Sequence, residues 1–179
     1  MKNSIFLTLL SFVLNLCVVG QSKMPILFET KDYQIIFPGK YSQNTQNIPS
    51  KLGSLTMTSA SYEPSNESYD SNYVYVVMES QYPDSTINSN KPETADIVFK
   101  GSIDGVIDNT TKKLISERKG FLGIYPTRTI EIDYQNRLAI IKMTMILRGS
   151  KMIIIQTITK PENYPNLSSG AFFNSFTLK

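Results

Sequence analysis

Four extended stretches follow one another between residues 113 and 159 with only short turns between them: KLISERK, IYPTRTIEIDY, NRLAIIKMTMILR and KMIIIQTIT. They are rich in β-branched and aromatic side chains, which suit a pleated, half-buried surface. The turns at Gln135 and Asn136 and at Gly149 and Ser150 carry the Asn and Gly that tight hairpins favour. Strands joined this closely must run antiparallel, because a parallel neighbour needs a crossover of roughly a dozen residues or more. Residues 113–159 therefore predict an antiparallel meander, and the rest of the chain must be arranged around it. Ile153, Ile154 and Ile155 are apolar at successive positions. A strand with one wet face would alternate instead, so both faces of the meander must be covered. The cover is either a helix on each side or a helix on one side and a loop layer on the other.

The flanking segments supply material for that cover. Asn90 and Pro92 make a helix start, with Glu93 in the first turn. Ala95, Val98, Phe99, Ser102, Ile103 and Val106 then recur at the spacing of one helical face, predicting one main helix near 91–110. Gly101 and Gly105 weaken it by ~1 kcal/mol each. Either they let the helix approach a sheet closely or they are merely tolerated. Upstream, Phe28 and then Tyr33, Ile35 and Ile36 mark two short strands around a polar turn at 30–32, stopped by Pro38 and Gly39. Leu52, Leu55, Met57 and Tyr62 mark another strand, and YVYVVME a further one. The polar stretches 41–51 and 84–90 predict mobile surface loops. Near the end, Pro161 and Pro165 precede a short helical turn and then Phe172, Phe173 and Phe176. Chain ends are ordinarily polar and frayed, so three phenylalanines here predict a packed lid over the sheet.

The opening residues have a different character. Lys2 precedes an apolar run over 5–19 that only Thr8, Ser11 and Asn15 interrupt. The run is too short to span a bilayer comfortably, which takes ~20 apolar residues. It fits a secretory signal over 1–20, with Val18 and Gly20 at the positions that favour small side chains and cleavage between Gly20 and Gln21. A lipoprotein signal anchored through Cys17 is the rival, although Leu16 and Asn15 fit it poorly. After cleavage at Gln21 no cysteine remains, so the core alone must stabilise a single domain over 21–179. Removing Lys2 lowers the formal charge from +3 to about +2. That is too small a bias for nucleic acid. There is no histidine, so the commonest general base and metal ligand is missing.

The order of elements, with YQIIFPG at 33–39 and Phe172, Phe173, Ser175, Phe176 and Leu178 at the end, resembles the PsbP-like superfamily. That superfamily includes DcrB-like envelope lipoproteins and a Ran-binding nuclear factor. The resemblance implies an α+β fold: an α/β/α sandwich with a central, mainly antiparallel sheet, one main helix near 91–110 and a short C-terminal helix. It also implies an accessory or docking role, in the style of exported bacterial envelope members. Histidines that bind metal in some photosystem members have no counterpart here, and no functional residue carries over position by position.

Candidate chemistry is sparse. Glu131 and Asp133 lie two apart on one strand and so leave the same face. Such a pair suits acid–base work or a hard cation, but Thr127 and Thr129 share the face, which reads as a solvated surface. Ser–Lys catalysis has no spacing to single out a pair, and neither GSIDG nor GFLGIY is a phosphate loop. Lys112, Lys113, Arg118 and Lys119 form a cationic cluster suited to an acidic partner or an anionic surface, or simply a solvated strand end. In KGFLGIYPTR, Gly120 and Gly123 bracket Phe121 and Leu122. Arg118, Lys119, Phe121, Tyr125 and Arg128 are therefore the candidate partner-binding residues, since Tyr and Arg favour interface hot spots. The apolar ones equally suit the core. The partner expected is a protein or envelope component. No catalytic residue, metal or cofactor is expected, and no transmembrane span in the mature chain. Asn-x-Ser/Thr triplets at Asn66, Asn109 and Asn166 bear on glycosylation alone.

Overall fold

A computed structural model describes residues 24–50, 53–64, 70–83, 87–107 and 111–179. The expected signal over 1–20, with Cys17, Gly20 and Gln21, lies outside the described residues, as do Asn66 and Asn109.

The meander is present as β6 (Lys112–Leu122), β7 (Tyr125–Tyr134), β8 (Ala139–Arg148) and β9 (Lys151–Thr159). It continues through β5 (Asn72–Gln81), β4 (Gly53–Tyr62) and β3 (Ser42–Ser50) into a seven-stranded sheet ordered β3-β4-β5-β9-β8-β7-β6. Every pairing in it is antiparallel. Two hairpins close with two-residue loops whose first residue is a glycine at positive φ, Gly123 at 61° and Gly149 at 59°. Glycine there matches the twist that type II′ loops impose.

The remaining turn is wider than the two residues expected. Gln135, Asn136 and Arg137 all have positive φ, at 50°, 53° and 69°. Leu138 N–H returns to the Tyr134 carbonyl, and the Asp133 carboxylate accepts the Arg137 N–H at 2.5 Å.

Over their described residues, two polar stretches expected as mobile loops take part in defined structure. Residues 41–51 were expected as a loop, yet β3 is a nine-residue edge strand. Its cohesion comes from the backbone ladder and from hydroxyl and amide pairs with β4: Ser42 with Ser61, Thr45 with Thr58, and Asn47 with Thr56. Residues 84–86 of the second stretch lie outside the described residues, but Ile87 is buried. Ser89 exchanges two hydrogen bonds with Gly149, both at 2.8 Å.

One face of the sheet is covered by α1 (Pro92–Ile107). Ala95, Val98, Phe99, Ile103 and Val106 are buried on Val76, Met78, Ile130, Ile132, Met143, Met145 and Ile154, the face that the spacing marked. Gly101 is exposed and open space surrounds the position a Cβ would take, so this glycine is tolerated rather than required. The other face is covered by a second, three-stranded sheet: β1 (Ile26–Glu29), β2 (Tyr33–Phe37) and β10 (Thr177–Leu178), ordered β1-β2-β10. The short helix α2 (Leu167–Asn174) completes that layer. Phe28, Tyr33, Ile35, Phe37, Phe172 and Phe176 pack there on Tyr75, Val77, Ile153 and Ile155.

The sandwich of helices on both faces is thus matched only in part. The molecule is dominated by antiparallel sheet, and small β strands do most of the covering on one side. Ile154 faces α1 while Ile153 and Ile155 face the small sheet, which accounts for their unbroken apolar run. The C-terminal phenylalanines form the lid that the sequence predicts. Phe172 and Phe176 are buried, and Phe173 packs half-buried beside them.

Candidate functional site

Lys119 stands directly across from Arg128, and Phe121 across from Pro126, in the β6–β7 hairpin at the edge of the large sheet. Directly opposed residues share a face, and neighbours along a strand alternate. Glu117, Lys119, Phe121 and Arg128 therefore lie on the α1 side, whereas Arg118 and Tyr125 lie on the other. The five expected contact residues do not form one surface.

Arg128 departs furthest from the expectation. Its side chain is only 5% exposed. The guanidinium donates to Asp96 on α1 and sits 5.1 Å from the centre of the Phe99 ring. Its Nε lies 3.2 Å from Glu117 but is not aligned as a hydrogen bond. The Arg128 bond in turn holds the Asp96 carboxyl below the usual carboxylate range. Arg128 is thus the pin between α1 and the hairpin rather than a free contact residue. Tyr125 is also engaged, half-buried against the second core with the Arg148 guanidinium 5.6 Å from its ring centre.

The other three are at the surface. Phe121 is 75% exposed and Lys119 71% exposed, the latter 3.4 Å from Asp96. Arg118 is exposed and forms no ion pair among the described residues. The structure adds residues that the sequence reading did not single out. Ile124, at the hairpin tip, is 81% exposed, and Leu114 and Ile115 are exposed along β6. Lys112 leaves the cationic cluster altogether: it is buried beside the Tyr134 ring, and desolvation pulls its pKa down.

The carboxylate pair shares a face as expected, yet each member has a local partner. Glu131 accepts hydrogen bonds from Tyr164 at 2.5 Å and Ser116 at 3.0 Å. Asp133 serves the wide turn. A recess of about 660 Å³ lies nearby, lined by Ser71 and residues 162–168, but neither carboxylate lines it. Its polar wall continues into a buried network. Asn72 donates to Asp70, Tyr75 and Asn166 and accepts from Thr159. The Asn166 side chain also caps α2 by accepting from Ser169 N–H at 2.8 Å, so its amide is committed within the fold.

A second charged group lies under the small sheet. The Lys151 ammonium is 2.5 Å from Asp32 and 3.3 Å from Glu79. Among the described residues no group of three or more Asp, Glu, Cys or His is arranged to hold a metal ion. Nor is any helix among them long and apolar enough to cross a membrane.

This fold has a solved counterpart. The solution structure of cyanobacterial PsbP (CyanoP) from Synechocystis superimposes with a TM-score of 0.52 at 14% identity, covering 93% of this chain and 99% of that one. The Pseudomonas aeruginosa protein of unknown function PA94 is similar at a TM-score of 0.40 and 12% identity, over 79% of this chain and 86% of that one. No protein-family model and no curated protein matches the chain. The likeness to the Synechocystis structure defines the fold as PsbP-like.

Proposed function

We propose that this is a non-enzymatic accessory protein that works by docking through the β6–β7 hairpin. One observation carries the reading: Phe121 and Ile124 stand in solvent at the tip of a sheet edge, with Lys119 on the same face as Phe121 and Arg118 on the opposite one. Large exposed apolar residues, aromatic ones above all, suit the centre of an interface, and cations around them suit its polar rim. The engagement of Glu131 and Asp133 by local partners supports the same reading over a carboxylate-based enzyme.

The setting proposed is the cell envelope. Residues 1–20 would direct export, and Gln21 would begin the mature chain. Membership among the exported, DcrB-like relatives, with Cys17 as a lipid anchor, is the alternative form of this proposal. The intact mass of the protein recovered from its own cells separates the two: a start at Gln21 supports the first, an acylated Cys17 the second.

Docking is tested by cross-linking the tagged protein in its native envelope and identifying partners by mass spectrometry. A second bait carries Phe121→Ser, Ile124→Ser and Lys119→Glu. Arg128 is left intact in it, because altering that residue would disturb α1. A partner captured by the first bait and lost with the second is the expected result. Capture of no partner, or equal capture by both, would remove the hairpin from consideration.

A further inference from the structure

The large sheet has two edges of opposite chemistry. The β3 edge, SQNTQNIPS, carries no charge. The β6 edge, KKLISERKGFL, carries four cations and one anion. Among the described residues β6 pairs with β7 alone, so its outer row of backbone donors and acceptors has no strand partner. Such a row is a template for an added strand. A bulge at Ile115 shifts the register between Leu114 and Ser116, after which residues 116–122 run without interruption. Seven residues extend about 23 Å, at ~3.3 Å each, enough for a peptide to form a full set of ladder bonds.

The charges on this edge select its occupant. Glu117 is drawn inward toward Arg128. Arg118, on the face it shares with Glu131 and Tyr164, forms no ion pair among the described residues, and on the other face Lys119 shares Asp96 with Arg128. A second copy of β6 would bring one net-positive edge against another, which disfavours self-pairing. A strand rich in Asp or Glu would meet Arg118 and Lys119 with opposite charge. Resting on the docking reading above, we infer that residues 116–122 of β6 accept an extended acidic segment of a partner protein as an additional strand. An anionic lipid surface would satisfy the cations but not the directed backbone groups.

The test uses the purified protein and labelled ten-residue peptides followed by fluorescence anisotropy. One peptide alternates Glu and Val, and a control alternates Lys and Val. Two further Glu–Val peptides are N-methylated, one at every Glu and the other at every Val. Only every second N–H of an added strand points to the edge it joins. The expected result is therefore binding of the Glu–Val peptide, loss of binding by one methylated form but not the other, and no binding of the Lys–Val control. Arg118→Glu, a change at an exposed side chain, should weaken binding on the order of tenfold. Equal binding by both methylated peptides would overturn strand addition in favour of general charge attraction. Absence of Glu–Val binding would also overturn it. So would a dimer in sedimentation that Arg118→Glu dissociates, or binding confined to anionic phosphatidylglycerol vesicles. A cross-linked partner lost with the Phe121 and Ile124 bait, together with any of these results, would leave the docking reading standing and refute the strand-addition mode alone.

Discussion

Arg128 shows how one residue's role can be written in the sequence and still be misread. Its type suggests a surface contact, but its position two residues before Ile130 and four before Ile132 places it on the buried face of β7. Strand parity was the signal, and it outranks residue type here because a side chain cannot choose its face. The wide turn is a different matter, since nothing in Gln135, Asn136 and Arg137 announces three consecutive left-handed residues. A non-glycine residue in that region costs ~1 kcal/mol or more. Replacing exposed Arg137 with glycine should therefore stabilise the protein by ~0.5–1 kcal/mol, read as a raised urea midpoint with an unchanged slope. The Asp32–Lys151 pair gives a pH dependence. The Lys151 hydrogen bond holds the Asp32 carboxyl below its ordinary range. A carboxylate so depressed contributes stability above its unfolded value of about 4 and loses it as pH falls through the lower folded value. Burial alone would pull Lys151 down, but Asp32 and Glu79 raise it on balance. Its contribution is present below about 10.4 and lost as pH rises through the folded value. Urea melts from pH 2 to 11 should show both losses, and Asp32→Asn should flatten the acid limb. An unchanged acid limb in that variant would show that the pair contributes nothing.

At the scale of elements, apolar periodicity predicted what apolar burial holds and missed what polar pairing holds. The buried stripe of α1 and the meander were legible because each repeats at its own period. β3 was not, since SQNTQNIPS has no apolar alternation and its hydroxyl and amide pairs depend on register against β4. The C-terminal segment combines both kinds of signal. Its phenylalanines announce burial, but only the structure shows Thr177 and Leu178 pairing with Gln34 and Tyr33, 143 and 145 residues earlier. Phe172 is 1% exposed and packs against Phe37 and Tyr75 with ring centres 5.1 Å away. Phe172→Ala should cost ~3–5 kcal/mol, measured by equilibrium urea unfolding. A loss under ~1 kcal/mol would mean that the lid contributes little beyond what a surface residue would.

Across the whole molecule, one sheet is shared by two cores that do not mix. Phe99 belongs to the α1 core and Phe172 to the core beneath the small sheet. Each strand of the sheet's middle sends alternate side chains into each, so loss of either core should unfold the other. Phe99→Ala and Phe172→Ala should each preserve a single unfolding transition, and their costs should add to within ~0.5 kcal/mol in the double variant. Two separated transitions would show that the layers unfold independently. The sequence by itself determined the antiparallel meander, the α1 face, the demand for cover on both sides of β9 and the packed C-terminal end. These follow from side-chain period and from turn chemistry, which are local. Tertiary structure alone decided that a three-stranded sheet built from both chain ends supplies one cover, that Arg128 pins α1, and that β6 is left at an edge. Those depend on which distant segments meet, and hydrophobic burial rewards meeting without specifying the partner, because it is non-directional.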